Sequence, residues 1–206
     1  MKVMLKCIGI AVFLSGSSVF AQTTVTWDGG GTGNDWNTVE NWNPNGLPPE
    51  DSKAVIRNGE SVTITSEVIN SVSNLYLSGG SDLNVSGGSL TVKNDFRVSD
   101  LGASGASFTM SGGVVNGGNI AMNVNLTTTG AGTMNLNGGT LRCNRLRAGT
   151  GSASDNTINF NGTTILRDRV GNKQDLIVLS DTRGSGNVQA GGLIIATTNG
   201  NLGIDI

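Results

Sequence analysis

The sequence predicts an all-β protein, a right-handed parallel β-helix (β-solenoid) with coils of about 25 residues and a Trp-rich N-terminal cap. Three observations favour this fold: an internal Gly-Gly repeat, apolar residues that alternate with polar ones inside each repeat, and an unusual composition. The 206 residues include 32 Gly and three Pro, and 14% of them are charged. Disordered chains usually combine high net charge with no apolar period, so this composition indicates strands joined by turns.

Four segments align as one repeat. Each reads apolar, polar, apolar, polar, then Gly-Gly or Gly-Thr, then a small or polar residue and an apolar one. The first glycine of each segment falls at position 87, 112, 138 or 162, so the successive spacings are 25, 26 and 24. The segments are Leu83–Leu90, Phe108–Val115, Met134–Leu141 and Ile158–Ile165.

Each repeat predicts two strands joined by a tight bend, then a second bend and a third strand. Alternation places one face of every strand inward. One unit of this size cannot bury that face alone, whereas stacked units bury it and extend the hydrogen-bonded ladder. The third strand carries the apolar pairs Phe96 and Val98, Ile120 and Met122, and Leu146 and Ala148.

The glycine pairs have a structural role in this fold, because glycine adopts positive φ at a tight corner. A phosphate-binding loop would instead need a helix after the glycines, and here another strand follows. Asn137 and Asn161 lie next to successive corners. We expect them to stack as an asparagine ladder.

The predicted organisation is a signal peptide (1–21), an N-terminal capping segment (22–60) and β-solenoid repeats (61–206). Without its signal peptide the chain keeps 185 of its 206 residues, enough for one domain. A looser coil precedes the four repeats, with Val62, Ile64, Val72, Leu75 and Leu77 as its apolar positions.

Regularity decreases again after Gly162, although 175–179 and 192–195 are apolar enough to form two further buried strands. The last residues, 202–206, are also largely apolar. We therefore expect the repeats to continue beyond the chain end.

The segment 1–21 has the three parts of a secretory signal peptide. Lys2 and Lys6 form a positive n-region, 7–14 a short apolar h-region, and 19–21 a cleavage box, which predicts Gln22 as the mature N-terminus. The apolar run is far shorter than the roughly 20 residues that a membrane span needs. We expect an exported protein that is extracellular, at the cell surface or periplasmic, with no membrane span in its mature chain.

Charge argues against two classes of partner. Removing Lys2 and Lys6 leaves 11 of the 13 basic residues against 15 acidic ones, a net charge of about −4. Neither a nucleic-acid interface nor a polybasic membrane surface fits that balance. Only Cys143 remains after the signal peptide, so stability has to come from packing and backbone hydrogen bonds.

Residue types also argue against catalysis. The chain has no His, which removes the commonest general base and most zinc sites. Asp82, Asp95, Asp100 and Asp155 recur at no common coil position, so no glycosidase-like pair of carboxylates is predicted. We expect no enzyme, no catalytic residue, no metal and no cofactor.

All three Trp residues lie in one stretch before the repeats, at Trp27, Trp36 and Trp42. Exposed indole rings stack on sugars, so the cluster is one candidate glycan contact. An open solenoid end, however, exposes a strand edge that needs a cover, and large aromatic residues cover a core efficiently. A cap is the favoured interpretation, and a sugar platform is its alternative.

A second candidate glycan contact is a stripe of arginines. One repeat spacing separates Arg142 from Arg167, so we expect them on adjacent coils about 4.8 Å apart. An anionic polysaccharide would suit such a stripe. The preceding coil offers only Asn116 and Ala121 at these positions, which favours a solvated face instead.

The start of the chain also resembles a known family. The run 27–36 (WDGGGTGNDW), followed by 41–42 (NW), 47–49 (LPP) and 54–56 (AVI), is similar to the opening of exported bacterial proteins with autotransporter-associated β-strand repeats. Many of those also resemble PEP-CTERM-sorted surface proteins, whose sorting tail is not present in this sequence. The coils, of the form Leu-x-Val-x-Gly-Gly-x-Leu-x-Val, are similar to their repeats, so the resemblance covers roughly residues 25–165.

The expected function is therefore an exported structural or adhesive β-solenoid, a stalk or passenger segment at the cell surface or in the medium. The alternative is a carbohydrate-binding module or a polysaccharide-degrading, lyase-like β-helix. Extracellular polysaccharide or other surface components are the expected partners, and nucleic acid is not.

Overall fold

A computed structural model shows an all-β protein built as a parallel β-solenoid, which confirms the predicted fold class. Most of the predicted signal peptide, together with Asp100 and Ala148, lies outside the described residues. Among the described residues, no helix has the length and apolarity that crossing a bilayer requires. The structure describes 21–68, 71–99, 105–122, 131–143, 145–147, 155–161, 164–168, 177–178, 185–190, 193–196 and 204–205.

Three ladders of parallel strands surround one hydrophobic core. Face 1 is a six-stranded sheet. It consists of β4 (Ser61–Ile64), β6 (Asp82–Val85), β8 (Ser107–Met110), β10 (Thr133–Leu136), β13 (Asp155–Phe160) and β16 (Ser185–Ala190).

The other two faces belong to one sheet of 12 strands. Two long strands, β7 (Ser89–Val98) and β9 (Val114–Met122), contribute their first halves to face 2 and their second halves to face 3. Face 2 continues with β11 (Gly139–Cys143), β14 (Thr164–Asp168) and β17 (Leu193–Ala196). Face 3 also contains β1 (Thr24–Trp27), β3 (Lys53–Ile56), β5 (Asn74–Leu77), β12 (Arg145–Arg147), β15 (Ile177–Val178) and β18 (Ile204–Asp205).

Strand register confirms the predicted alignment of the repeats. On face 1, Leu83 pairs with Phe108, Phe108 with Met134, and Met134 with Ile158, so successive coils advance the numbering by 25, 26 and 24. Val62 pairs with Leu83, so the preceding coil is shorter and advances it by only 21. The predicted late strands are present as β15 and β17, although the burial of their side chains lies outside the described residues.

Alternate residues of each strand fill the core. In β4, β6, β8 and β10, the second and fourth residues are buried and the others lie outward. Phe96 and Phe108 meet edge to face inside the core, with ring centroids 5.0 Å apart, an arrangement that aromatic pairs prefer. The apolar positions of the looser coil are buried as well.

Three of the glycine pairs have the predicted positive φ at their second glycine. Gly88, Gly113 and Gly139 have φ of +64°, +73° and +91°. The coils also approach closely there, because a Cβ on Gly113 would lie 2.6 Å from the carbonyl oxygen of Gly87 in the preceding coil. The corners therefore require glycine for two separate reasons, the positive φ and the stacking distance.

The parallel sheet begins earlier than residue 61. On face 3, β1 pairs with β3 and β3 with β5, both in parallel. Residues 22–60, assigned to a capping segment from the sequence, thus contribute two strands to the parallel ladder. The segment between them, with a 3₁₀ helix (Val39–Asn41) and β2 (Trp42–Asn43), covers the end of the solenoid.

Candidate functional site

The tryptophan cluster packs as a cap over the N-terminal end of the solenoid. Trp42 packs edge to face against both Trp27 and Trp36, with ring centroids 5.1 and 4.8 Å away. The indole Nε1 of Trp42 donates a hydrogen bond of 2.9 Å to the buried main-chain oxygen of Trp36. One donor and three rings thus fix the loop between β1 and β3.

The cap also covers strand edges. Strand β2 pairs antiparallel with β1 and so occupies part of its outer edge. On face 1, the main-chain NH of Trp36 donates to the oxygen of Thr63 at 2.9 Å, and the NH of Thr63 donates to the oxygen of Asn34 at 2.7 Å. Covered edges cannot pair with another chain, which is the usual function of a solenoid cap.

Asn41 holds the glycine-rich run of the cap in place. Its side chain is buried, accepts a hydrogen bond of 2.8 Å from the NH of Gly31, and donates one of 3.1 Å to the oxygen of Gly33. Its main-chain oxygen accepts a hydrogen bond of 2.9 Å from the NH of Asp28. The repeat pattern does not indicate this role, because Asn41 ends the short 3₁₀ helix of the cap, in a segment with no period.

Burial decides between the two interpretations of the tryptophans. Trp27 is 2% exposed, and Trp36 and Trp42 are 0% exposed. A sugar stacks on an open ring face, and these indoles offer none. The geometry therefore supports the cap, and the candidate glycan contact at Trp27, Trp36 and Trp42 does not form an aromatic platform.

A polar groove of about 450 Å³ lies beside the cap. Asp28, Asn43, Arg57, Asn58 and Glu60 are among the residues that line it. The Asp28 carboxylate is used within the cap, since Oδ1 accepts a hydrogen bond of 3.1 Å from the NH of Gly30. The groove is thus a mixed-charge surface of the cap.

The arginine stripe has the predicted register. Arg142 pairs with Arg167 on face 2, and Asn116 occupies the same position one coil earlier. Arg142 is exposed, and its Nη1 donates a hydrogen bond of 3.4 Å to Asn116 Oδ1. The side chain of Arg167 lies outside the described residues. Asn116 interrupts the cationic stripe, as its sequence position suggested.

Outward amides form ladders along face 1. Asn159 Nδ2 donates to Asn135 Oδ1 at 2.9 Å, and Asn161 Nδ2 donates to Asn137 Oδ1 at 3.0 Å. The second pair confirms the asparagine ladder expected next to the corners. Asn135 Nδ2 lies 3.5 Å from Thr109 Oγ1, so the first ladder also reaches the preceding coil. These polar side chains thus bind one another between coils.

Among the described strands of face 1, Asp82 has no second carboxylate in its column. The other positions of the face 1 column that contains Asp82 are Ser61, Ser107, Thr133, Thr157 and Asn187. The hydroxyl of Ser107 donates to Asp82 Oδ1. Among the described residues, no group of three or more Asp, Glu, Cys or His side chains is placed to hold a metal ion.

A charged and aromatic surface lies on face 3, which the repeat period does not indicate. Tyr76 pairs with Arg97 on the next coil, and the guanidinium carbon lies 4.6 Å from the ring centroid. Lys53 Nζ lies 5.3 Å from the same centroid. Arg97 Nη2 also donates to Asp95 Oδ2 at 3.1 Å. We call Lys53, Tyr76, Asp95 and Arg97 the Tyr76 surface.

Lys93, at the bend between faces 2 and 3, bridges two acidic residues of the loop before β3. Its Nζ lies 2.8 Å from Glu50 Oε1 and 2.9 Å from Asp51 Oδ1. Hydrogen bonds to Glu50 and then to Asp51 raise the pKa of the Lys93 amine above its ordinary value of 10.5. These groups are exposed, so the bridges are a local tie between coils.

Comparisons with protein-family models, with curated proteins and with solved structures each find no match to this chain. Its own residues and their geometry therefore carry the functional argument. That geometry places the tryptophans in the cap, the glycines at the corners and the asparagines in ladders between coils.

Proposed function

We propose that this chain is an exported structural β-solenoid, a rigid stalk or passenger segment at the cell surface or in the medium, and not an enzyme. The observation that carries the proposal is the use of its most distinctive residues within the stack. Trp27, Trp36 and Trp42 are buried in the cap, and the corner glycines set the distance between coils. A fold that uses its unusual residues for stacking suits a mechanical role.

The length of the stack agrees with a spacer role. Face 3 runs from β1 to β18 through seven parallel steps. At about 4.8 Å per step, the stack is about 34 Å long. Its ladders of backbone hydrogen bonds run along this axis and make the element stiff.

Two observations favour export. The segment 1–21 has the tripartite pattern of a signal peptide. Gln22, the residue after the predicted cleavage site, is the first of the described residues with side-chain contacts to the fold: it donates to the Asp51 oxygen at 3.2 Å and accepts from Asn74 Nδ2 at 2.9 Å. Cleavage before Gln22 would keep both of these contacts in the mature chain. The resemblance of 27–36 to exported repeat proteins points the same way.

The test is the fate of the full chain with a C-terminal tag in a Gram-negative host. We expect recovery outside the cytoplasm, with Gln22, as glutamine or pyroglutamate, identified as the N-terminal residue by mass spectrometry. An Ala21→Lys variant is the matched control, because a bulky charged residue at the cleavage position should leave residues 1–21 attached. Intact N-termini and a cytoplasmic location for the unaltered chain would overturn the proposal of export.

The proposal that the chain is not an enzyme is tested by incubating the purified protein with polygalacturonate and alginate. We expect no shortening of either polymer and no rise in ultraviolet absorbance from unsaturated uronates. Turnover that persists after repurification would instead support the lyase-like alternative.

A further inference from the structure

We propose that the Tyr76 surface on face 3 binds an acidic polysaccharide whose uronate carboxylates lie along the solenoid axis. This inference adds an interaction surface to the structural role and does not depend on export. It also moves the candidate glycan contact from the tryptophans to a different face.

Tyr76 is half-buried on the outward side of its strand. Among the described residues, it is the one aromatic side chain that lies outside the buried core. Two cations, those of Lys53 and Arg97, lie within about 6 Å of its ring centroid, the range of cation–π attraction. The ring therefore helps to hold both positive charges in defined positions on the outward face.

Arg97 is positioned from two sides. The Tyr76 ring attracts its guanidinium carbon, and Asp95 accepts a hydrogen bond of 3.1 Å from its Nη2. A guanidinium that is already oriented loses less side-chain entropy when a carboxylate binds. Arginine is also the residue best suited to planar recognition of carboxylates.

The residues of the Tyr76 surface belong to two columns on face 3, where a column is the set of residues that pair with one another on successive coils. The first carries Lys53, Asn74, Asp95, Asn119 and Arg145 on successive coils, and the second carries Val55, Tyr76, Arg97, Ala121 and Arg147. These positions hold four basic residues and one acidic residue, whereas the chain without its signal peptide has a net charge of about −4. By register, the two columns thus hold more basic than acidic positions.

The spacing suits a linear polymer. Lys53 and Arg145 are four coils apart, about 19 Å along the axis, and Arg97 and Arg147 are two coils apart, about 10 Å. A polyuronate carries one carboxylate on each sugar and so presents negative charge at regular intervals. Nucleic acid suits this surface less well, because a few cations beside the exposed Glu50 and Asp51 make a weak phosphate footprint.

The test uses the unaltered protein and three probes in affinity electrophoresis at low salt: sodium polygalacturonate, neutral dextran and duplex DNA. We expect retardation by polygalacturonate alone, and loss of that retardation as salt is raised. No retardation by polygalacturonate would overturn the proposal. Equal or stronger retardation by DNA would also overturn it, in favour of general polyanion binding.

Single substitutions test whether the polysaccharide binds at the Tyr76 surface. Arg97→Ala should weaken binding about tenfold, the worth of one charge-assisted hydrogen bond. Arg57→Ala removes the same charge from an exposed position outside the two columns and should leave binding unchanged. Asp95→Asn removes the one anion of the columns but keeps a side-chain oxygen that can accept the Arg97 hydrogen bond, so it should strengthen binding. Equal weakening by both arginine variants, or weaker binding by Asp95→Asn in a protein with unchanged circular dichroism, would refute this location.

Discussion

Replacing Gly113 by alanine should test whether the corners depend on contact between stacked coils. Gly113 has φ of +73°, in the left-handed region that residues with a Cβ disfavour. A Cβ there would also lie 2.6 Å from the oxygen and 2.7 Å from the carbonyl carbon of Gly87. Both are backbone atoms of the preceding coil, so the neighbour cannot move aside without shifting the stack.

The two costs can be separated with Gly59→Ala as a matched control. Gly59 has nearly the same φ, +78°, and an added Cβ would meet no atom within 4 Å. The left-handed conformation alone costs about 1–2 kcal/mol, which is the loss expected for Gly59→Ala. Overpacking adds about 1–3 kcal/mol, so Gly113→Ala should lose about 2–5 kcal/mol.

The assay is urea unfolding of both variants and the unaltered protein, followed by far-ultraviolet circular dichroism. The difference in unfolding free energy between the two variants reports the contact between coils. A clearly larger loss for Gly113→Ala is the expected result. Equal losses for the two variants would refute the reasoning, since they would mean that the coils do not touch at this corner.

Three further predictions concern the cap, a buried amide and a surface cation. Trp42→Phe should lower the unfolding free energy by about 2–4 kcal/mol, because it leaves a buried carbonyl oxygen without its donor and opens a cavity; a loss below about 0.5 kcal/mol would contradict the cap. Asn156→Ala should cost about 1–3 kcal/mol in the same assay, since it removes the acceptor 2.7 Å from the buried NH of Gly132, and an unchanged midpoint would argue against that bond. The Lys93 pKa, measured by nuclear magnetic resonance, should exceed 10.5 and fall towards it in Glu50→Gln. A raised pKa means that the stabilisation is complete below pH 10.5 and is lost as the pH rises through the folded-state pKa; a pKa that does not respond to Glu50→Gln would contradict the bridge.

Regular coils were predictable because their physics is local and repeated. Alternation sets which residues point inward, and glycine pairs mark corners, so the pairing of Phe108 with Met134 follows from the sequence alone. The Tyr76 surface was not predictable from the same period. The step from Tyr76 to its partner Arg97 is 21, whereas a step of 25 from Tyr76 reaches Leu101 instead.

The cap shows a different limit. Three tryptophans before an open solenoid end predict either a cover or a platform, and only the burial of the rings separates the two. The rings belong to an irregular segment, part of which Asn41 shapes through hydrogen bonds to Gly31 and Gly33. Because this segment occurs once, the residues that shape it produce no repeated pattern in the sequence.

The most direct test of the stacked, in-register solenoid is a measured distance between two outward-facing residues on different coils. Thr63 and Asn159 occupy the same face 1 column, separated by four parallel steps. With both native cysteines replaced by alanine, nitroxide labels at these two positions should give a narrow distribution centred at about 19 Å in a double electron–electron resonance experiment. A broad distribution, or a maximum beyond about 30 Å, would contradict the stacking on which the whole account depends.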